Sequence, residues 1–158
     1  AVSKKGARMR AAIIYHSSHH GNTRKVLDAL AAEFGVELLE AAEASNIDLS
    51  SYDVVGFASG IYYSEFAQAV TACAERLPAG MPAFLIYTCG SKSSRYGSAI
   101  RGVLAERANP LLGTFGCRGW DTFGPFRLIG GIAKHHPDDA DLAAARAFYA
   151  DKILGAEE

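Results

Sequence analysis

A chain of 158 residues, 49% hydrophobic and 21% charged, has enough apolar material for a sheet with helices on both faces and is too apolar for a disordered tail. Its formal charge of -1 speaks against an extended nucleic-acid surface, and no apolar run nears the roughly 20 residues that cross a bilayer. Cys73, Cys89 and Cys117 are too few and too scattered for a disulfide framework or a zinc site, so reduced thiols in a cytoplasm are expected.

Residues 1–10 carry Lys4, Lys5, Arg8 and Arg10 without the apolar stretch of a secretory leader. Met9 reads as the natural start, residues 1–8 as an expression remnant or flexible arm, and residues 9–158 as a single domain. Residues 11–15 read as a buried strand, followed by the polar turn 17–23. Val26, Leu27, Leu30 and Phe34 then recur at helical spacing until Gly35 closes the helix. A short strand is expected at 36–39 and a third at 54–58. The loop 59–64 is expected to open a helix with Phe66, Val70, Cys73 and Leu77 on one face. Residues 83–87 form the fourth strand, and Ile100, Val103 and Leu104 a helix that stops before Pro110. Residues 112–117 are a weaker fifth strand. The last helix starts with Pro137 in its first turn and Asp138 and Asp139 at its positive end, its inner face carrying Leu142, Ala145, Tyr149 and Ile153.

Strands alternating with helical crossovers predict an α/β three-layer sandwich around a five-stranded parallel sheet of order 2-1-3-4-5. Ligands of such sheets bind beyond the carboxyl ends of the strands, at the switch point between the first and third. The loops after the first, third and fourth strands converge there.

The first of these loops is Ser17, Ser18, His19, His20, Gly21, Asn22 and Thr23. A helix start offers unsatisfied N–H groups and partial positive charge, and so holds a phosphate without a lysine. Gly21 permits close backbone approach, and Ser17, Ser18, Asn22 and Thr23 add side-chain donors. The pattern is neither a Walker A loop nor a GxGxxG fingerprint, and the alternative is a plain polar turn with Asn22 or Thr23 as helix cap.

The segment from Ile13 through Tyr15 and His16 to Gly21-Asn22-Thr23 resembles the phosphate-binding segment of flavodoxins, one residue longer between Tyr15 and Gly21. It is similar to a group of small flavodoxin-domain proteins with a His-His-Gly-Asn-Thr loop, and residues 56–66 and 130–137 resemble that group too. The resemblance implies a flavodoxin-like fold and bound FMN, with the first loop on the phosphate and the other two around the isoalloxazine ring.

In the second loop, Ser59, Gly60, Ile61, Tyr62, Tyr63 and Ser64, one tyrosine can stack on a flat ring while Gly60 lets a peptide group turn toward it. Flavodoxins often have a tryptophan in this loop, and residues 59–64 contain none. In the third loop the backbone of Thr88, Cys89, Gly90 and Ser91 would hold the pyrimidine edge, with Tyr96 against the other face. That loop also contains Cys-x5-Arg, from Cys89 to Arg95, the arrangement of cysteine phosphatases, though an acid in an Asp-Pro context is missing. Electron-carrier flavodoxins surround the flavin with carboxylates. Here Lys92, Arg95 and Arg118 stand near the third loop, with Glu65 as the nearby acid. The pairs His19-His20 and His135-His136 lack a ligand set with metal spacing, and Trp120, Phe123 and Phe126 form an aromatic stretch after the fifth strand.

The expected function is an FMN-binding, flavodoxin-like redox protein that passes electrons through the flavin without a catalytic side chain. The alternatives are an FMN-dependent NAD(P)H:quinone or flavin reductase, a relative of flavodoxin-type protoporphyrinogen oxidase, and a Cys-x5-Arg phosphatase. The implied partners are a redox protein, or NAD(P)H and a quinone, with the chain a monomer or small homo-oligomer.

Overall fold

The computed structural model describes residues 9–17, 21–91, 93–120 and 131–157. Residues 1–8, Ser18, His19, His20, Lys92, Phe123 and Phe126 lie outside the described residues. In chain order the elements are β1 (Ala11–His16), α1 (Asn22–Phe34), β2 (Glu37–Glu40), β3 (Val54–Tyr62) and β4 (Glu65–Phe66). They continue with α2 (Gln68–Ala74), β5 (Ala83–Cys89), α3 (Ser98–Glu106), β6 (Leu111–Arg118) and α4 (Asp139–Phe148). The sheet order is β2-β1-β3-β5-β6, all neighbours parallel, with β4 paired antiparallel to the end of β3. Apart from β4 this is the order 2-1-3-4-5 expected from the alternation of runs.

Both faces of the sheet are covered, which is why its central strands are apolar at consecutive positions instead of alternate ones. Ala12, Ile14, Val55, Phe57 and Leu85 face Val70, Cys73 and Leu77 around α2 and Ile100 and Leu104 of α3. Ile13, Ala58, Phe84 and Ile86 face Val26, Leu27 and Leu30 of α1 and Ala145 of α4, with Tyr149 and Ile153 beyond it. Gly35 ends α1 in the left-handed region at φ 68° and donates its N–H to Ala31 O at 2.9 Å. The last helix begins at Asp139, two residues later than expected. Asp138 is its cap, exchanging hydrogen bonds with Asp141, and Pro137 precedes the cap. Beyond Phe148 the helix continues with π-type hydrogen bonding over Tyr149–Leu154.

Large rings on β5 lie across glycines that are their direct partners in the neighbouring strands. Phe84 covers Gly56 of β3, and Tyr87 covers Gly116 of β6. A Cβ added at Gly56 would sit 2.3 Å from the Phe84 ring, and one at Gly116 2.1 Å from the Tyr87 ring, so only glycine admits either ring.

A second expectation is also corrected. Residues 59–64 do not form a loop that opens a helix. Residues 59–62 extend β3, Tyr63 and Ser64 make a two-residue turn, and Phe66 belongs to β4, so α2 starts only at Gln68. The turn has φ 51° at Tyr63 and φ 70° at Ser64, the mirror-image geometry that matches the twist of an antiparallel pair. The apolar side chains of Ile61 and Phe66 face each other across it, which favours the hairpin despite the absence of a turn glycine.

Candidate functional site

β1 and β3 run side by side to the sheet's carboxyl edge, with His16 opposite Ser59, and the chain leaves them in opposite directions. The described part of the first loop combines a left-handed Gly21, at φ 65°, with the start of α1. The N–H groups of the first turn of a helix have no partner within it, so those of Asn22 and Thr23 face outward. Ser17 Oγ accepts the next one, from Arg24 N, at 3.2 Å. Thr23 and Thr88 bring the first and third loops together through a buried contact of 2.7 Å between their hydroxyls. Asn22 donates from Nδ2 to Trp120 O at 2.7 Å, while its buried Oδ1 has no partner among the described residues. Gly119 makes this approach possible, since a Cβ there would lie 2.7 Å from the Asn22 amide carbon.

The second segment is strand where a loop was expected, and its side chains divide accordingly. Ser59 is fully buried, donating to Gly60 O at 2.6 Å and accepting from Ala67 N at 2.9 Å. Gly60 stays in the ladder opposite Thr88 and Ile61 packs on the core, so the turning point lies at Tyr63 and Ser64, not at Gly60. Tyr62 folds back over Gly60 and meets the His16 ring edge-on at 6.0 Å. Tyr63 projects from the tip, 85% exposed. Between β1 and this hairpin opens a groove of about 490 Å³ lined by His16, Tyr62, Tyr63, Phe66 and Gln68.

The third segment also begins inside the strand. Thr88 and Cys89 are buried in β5, and the Cys89 thiol is turned to Cys117 O at 3.5 Å. Cys89 O accepts from Gly119 N at 2.8 Å and Gly90 O from Arg118 Nε at 3.2 Å. The Tyr96 ring stands edge-on to Tyr87 at 5.5 Å and its hydroxyl donates to Ser91 O, folding the loop onto the core. Tyr87 OH donates to Ser93 O at 3.2 Å, and burial, followed by the nearby Cys89, pushes its phenol up. Arg95 is exposed. A buried thiol on a carbonyl and an exposed arginine do not make the accessible thiolate and clamp of a phosphatase loop.

The hairpin and the third loop are bonded to each other. Glu65 accepts from Ser98 Oγ at 2.6 Å and Ala99 N at 2.9 Å, and Gly97 donates to Ser64 O at 3.0 Å. The acid nearest the third loop therefore spends its charge on the start of α3.

The structure thus gathers Ser17, Gly21, Asn22, Thr23, Thr88, Gly90 and Ser91 at one edge of the sheet, with Tyr62 and Tyr63 on the adjoining hairpin. It places Ser59 and Cys89 in the interior and Tyr96 against the core. His16 and Trp120 join this edge beyond the site residues that the sequence points to. A histidine as the last residue before a hydroxyl-rich loop was the available signal for the first, since alternation puts it on the face of Ala12 and Ile14.

The sequence pattern of the flavodoxin domain family matches residues 13–91. An uncharacterised protein of Methanocaldococcus jannaschii is 32% identical over 143 residues, spanning 89% of this chain and 95% of that protein. The chain belongs to the flavodoxin-domain family. Among solved structures it resembles a flavodoxin from the domain Archaea, with TM-score 0.61 and 14% identity over 95% of this chain and all of that one. It also resembles the flavodoxin, WrbA-like protein from Agrobacterium tumefaciens, with TM-score 0.63 and 16% identity over 94% and 97% of the two chains. At such identities the flavodoxins share the fold with this chain. Among the described residues no helix is long and apolar enough to cross a membrane.

Proposed function

We propose that this flavodoxin-domain protein binds FMN and carries electrons through it in the cytoplasm. The observation that supports this best is the edge between β1 and α1, where a left-handed Gly21 leads into outward N–H groups at the switch point of the sheet. The residues there fit the group. The N–H groups of Asn22 and Thr23 suit a phosphate, and the buried Asn22 Oδ1, without a partner among the described residues, is an acceptor that suits a hydroxyl of the ribityl chain instead. The 62–64 turn and the backbone after Thr88 border the place for the ring. When bound, FMN supplies one- and two-electron redox chemistry; the side chains hold and orient it and need not act as acid or base.

Titrating the protein with FMN should give a stoichiometric yellow complex with quenched flavin fluorescence, and riboflavin should bind at least roughly 10-fold more weakly, since it lacks the charge that the helix start attracts. Equal, poor binding of both would overturn the reading. A second reading, an NAD(P)H-dependent quinone or flavin reductase, is favoured by the exposed Arg95 in the third loop, while the Glu65 carboxylate is engaged at the start of α3. Rapid reduction of the flavin by NADPH in stopped flow would select it over a carrier.

A further inference from the structure

We propose, on the reading that this site takes a flavin, that Glu65 is a positioning residue that joins the 62–64 turn and the third loop into one wall of the site. Its role follows from a vacancy at the start of α3. The cap of that helix is Gly97, at φ 81°, which has no side chain to accept the first N–H groups. A larger residue cannot simply take its place, because a Cβ there would approach the Phe66 ring to 3.2 Å in a backbone conformation that favours glycine. The capping carboxylate therefore comes from another element. Glu65, next to Phe66, reaches across and takes the Ser98 hydroxyl on one oxygen and the Ala99 N–H on the other, at 2.6 and 2.9 Å. These are charge-assisted bonds at the positive end of a helix, stronger than neutral ones.

The latch matters because the turn it holds resists its own conformation. Tyr63 and Ser64 both have positive φ, a region that residues with a Cβ enter at a cost. Ser64 O is fixed by Gly97 N at 3.0 Å, and at the other end of the hairpin Ser59 Oγ holds Ala67 N at 2.9 Å. The tip that carries Tyr62 and Tyr63 is thus clamped on both sides. A ligand meeting that wall finds it already ordered and is spared the entropy of fixing two loops. Among the described residues the first loop contributes no bond to the latch, so its affinity for phosphate is separable from it.

The test uses the full chain with FMN and inorganic phosphate as separate probes, and amide hydrogen exchange without either. In Glu65→Ala the amides of Gly97 and Ala99 should exchange faster and the Kd for FMN should rise roughly 10-fold, with the Kd for inorganic phosphate unchanged. Glu65→Gln should recover most of both effects, its amide oxygen accepting from Ala99 and its NH2 donating to the Ser98 hydroxyl. Unchanged exchange at Gly97 and Ala99 in Glu65→Ala, or equal weakening of FMN and phosphate, overturns the proposal. If Glu65→Ala does not accumulate folded, Ser98→Ala removes one bond and should speed the same amides by roughly 5-fold; no change there overturns it as well. A wild-type protein that fails to bind FMN while Glu65→Ala still loosens Gly97 and Ala99 rejects the flavin reading and leaves the latch.

Discussion

Two threonine hydroxyls, Thr23 Oγ1 and Thr88 Oγ1, meet at 2.7 Å in a place closed to water, and each is the other's assurance against burial unpaired. Thr23→Val keeps the shape and orphans Thr88, so it should cost about 1–3 kcal/mol in urea unfolding. The double change to valine should recover much of that, because neither hydroxyl is then left alone, and a double-mutant cycle reads the coupling directly. Cys89 makes the opposite case. Its thiol faces Cys117 O inside the core, so Cys89→Ser should retain FMN binding in the same fluorescence titration. Phosphatase turnover in the wild type that disappears in Cys89→Ser would contradict this. The sequence marks Thr23, Thr88, Cys89 and Ser59 alike, as cofactor-holding residues of the three loops at the carboxyl edge. Which of them face the crevice depends on the strand's exact end and its twist, and neither is written in the residue types.

At the level of elements, the strands and helices with clear apolar periods were legible, down to Gly35 as the stop of α1. The β3–β4 hairpin was not. Its turn is Tyr63-Ser64, without the Asn-Gly or Asp-Gly pair that announces such a turn, and the pairing that rescues it is between Ile61 and Phe66. Replacing the turn by Asn-Gly, Tyr63→Asn with Ser64→Gly, should therefore raise stability by about 1 kcal/mol in the same unfolding experiment. A loss of stability would show that the tyrosine side chain, not the backbone, dominates there. The latch to α3 was equally hidden. Glu65 and Ser98 are far apart in the chain, and a glycine cap advertises no distant carboxylate.

At the scale of the molecule, the carboxyl edge is tied to α4 through a short relay: Asn22 Nδ2 donates to Trp120 O, and Trp120 N to His136 O. His136 Nδ1 in turn lies 2.7 Å from Asp141, half of the capping box of α4. Burial alone would raise the Asp141 carboxyl, but the His136 hydrogen bond and the Asp138 N–H outweigh it and hold the group below its ordinary range. A carboxyl depressed by folding stabilises the fold fully above its unfolded value, near pH 4, and loses that contribution as pH falls through the lower folded value. Asp141→Asn should therefore be about 1 kcal/mol less stable than wild type near pH 6, with the gap closing as pH falls through the lowered folded value. A gap independent of pH would assign the effect to the hydrogen bonds alone. The rings of β5 and the glycines beneath them have a consequence for how the sheet finds its alignment. Parallel strands buried on both faces carry little polar alternation to tell one alignment from another. Here Phe84 fits only over Gly56, on the α1 side, and Tyr87 only over Gly116, on the α2 side. Sliding β5 by two places along β3 would press Phe84 onto Val54 or Ala58. The two glycines work as notches in a lock on opposite sides of one key, and the alignment they admit is the one that brings Thr88 level with Gly60 and within reach of Thr23.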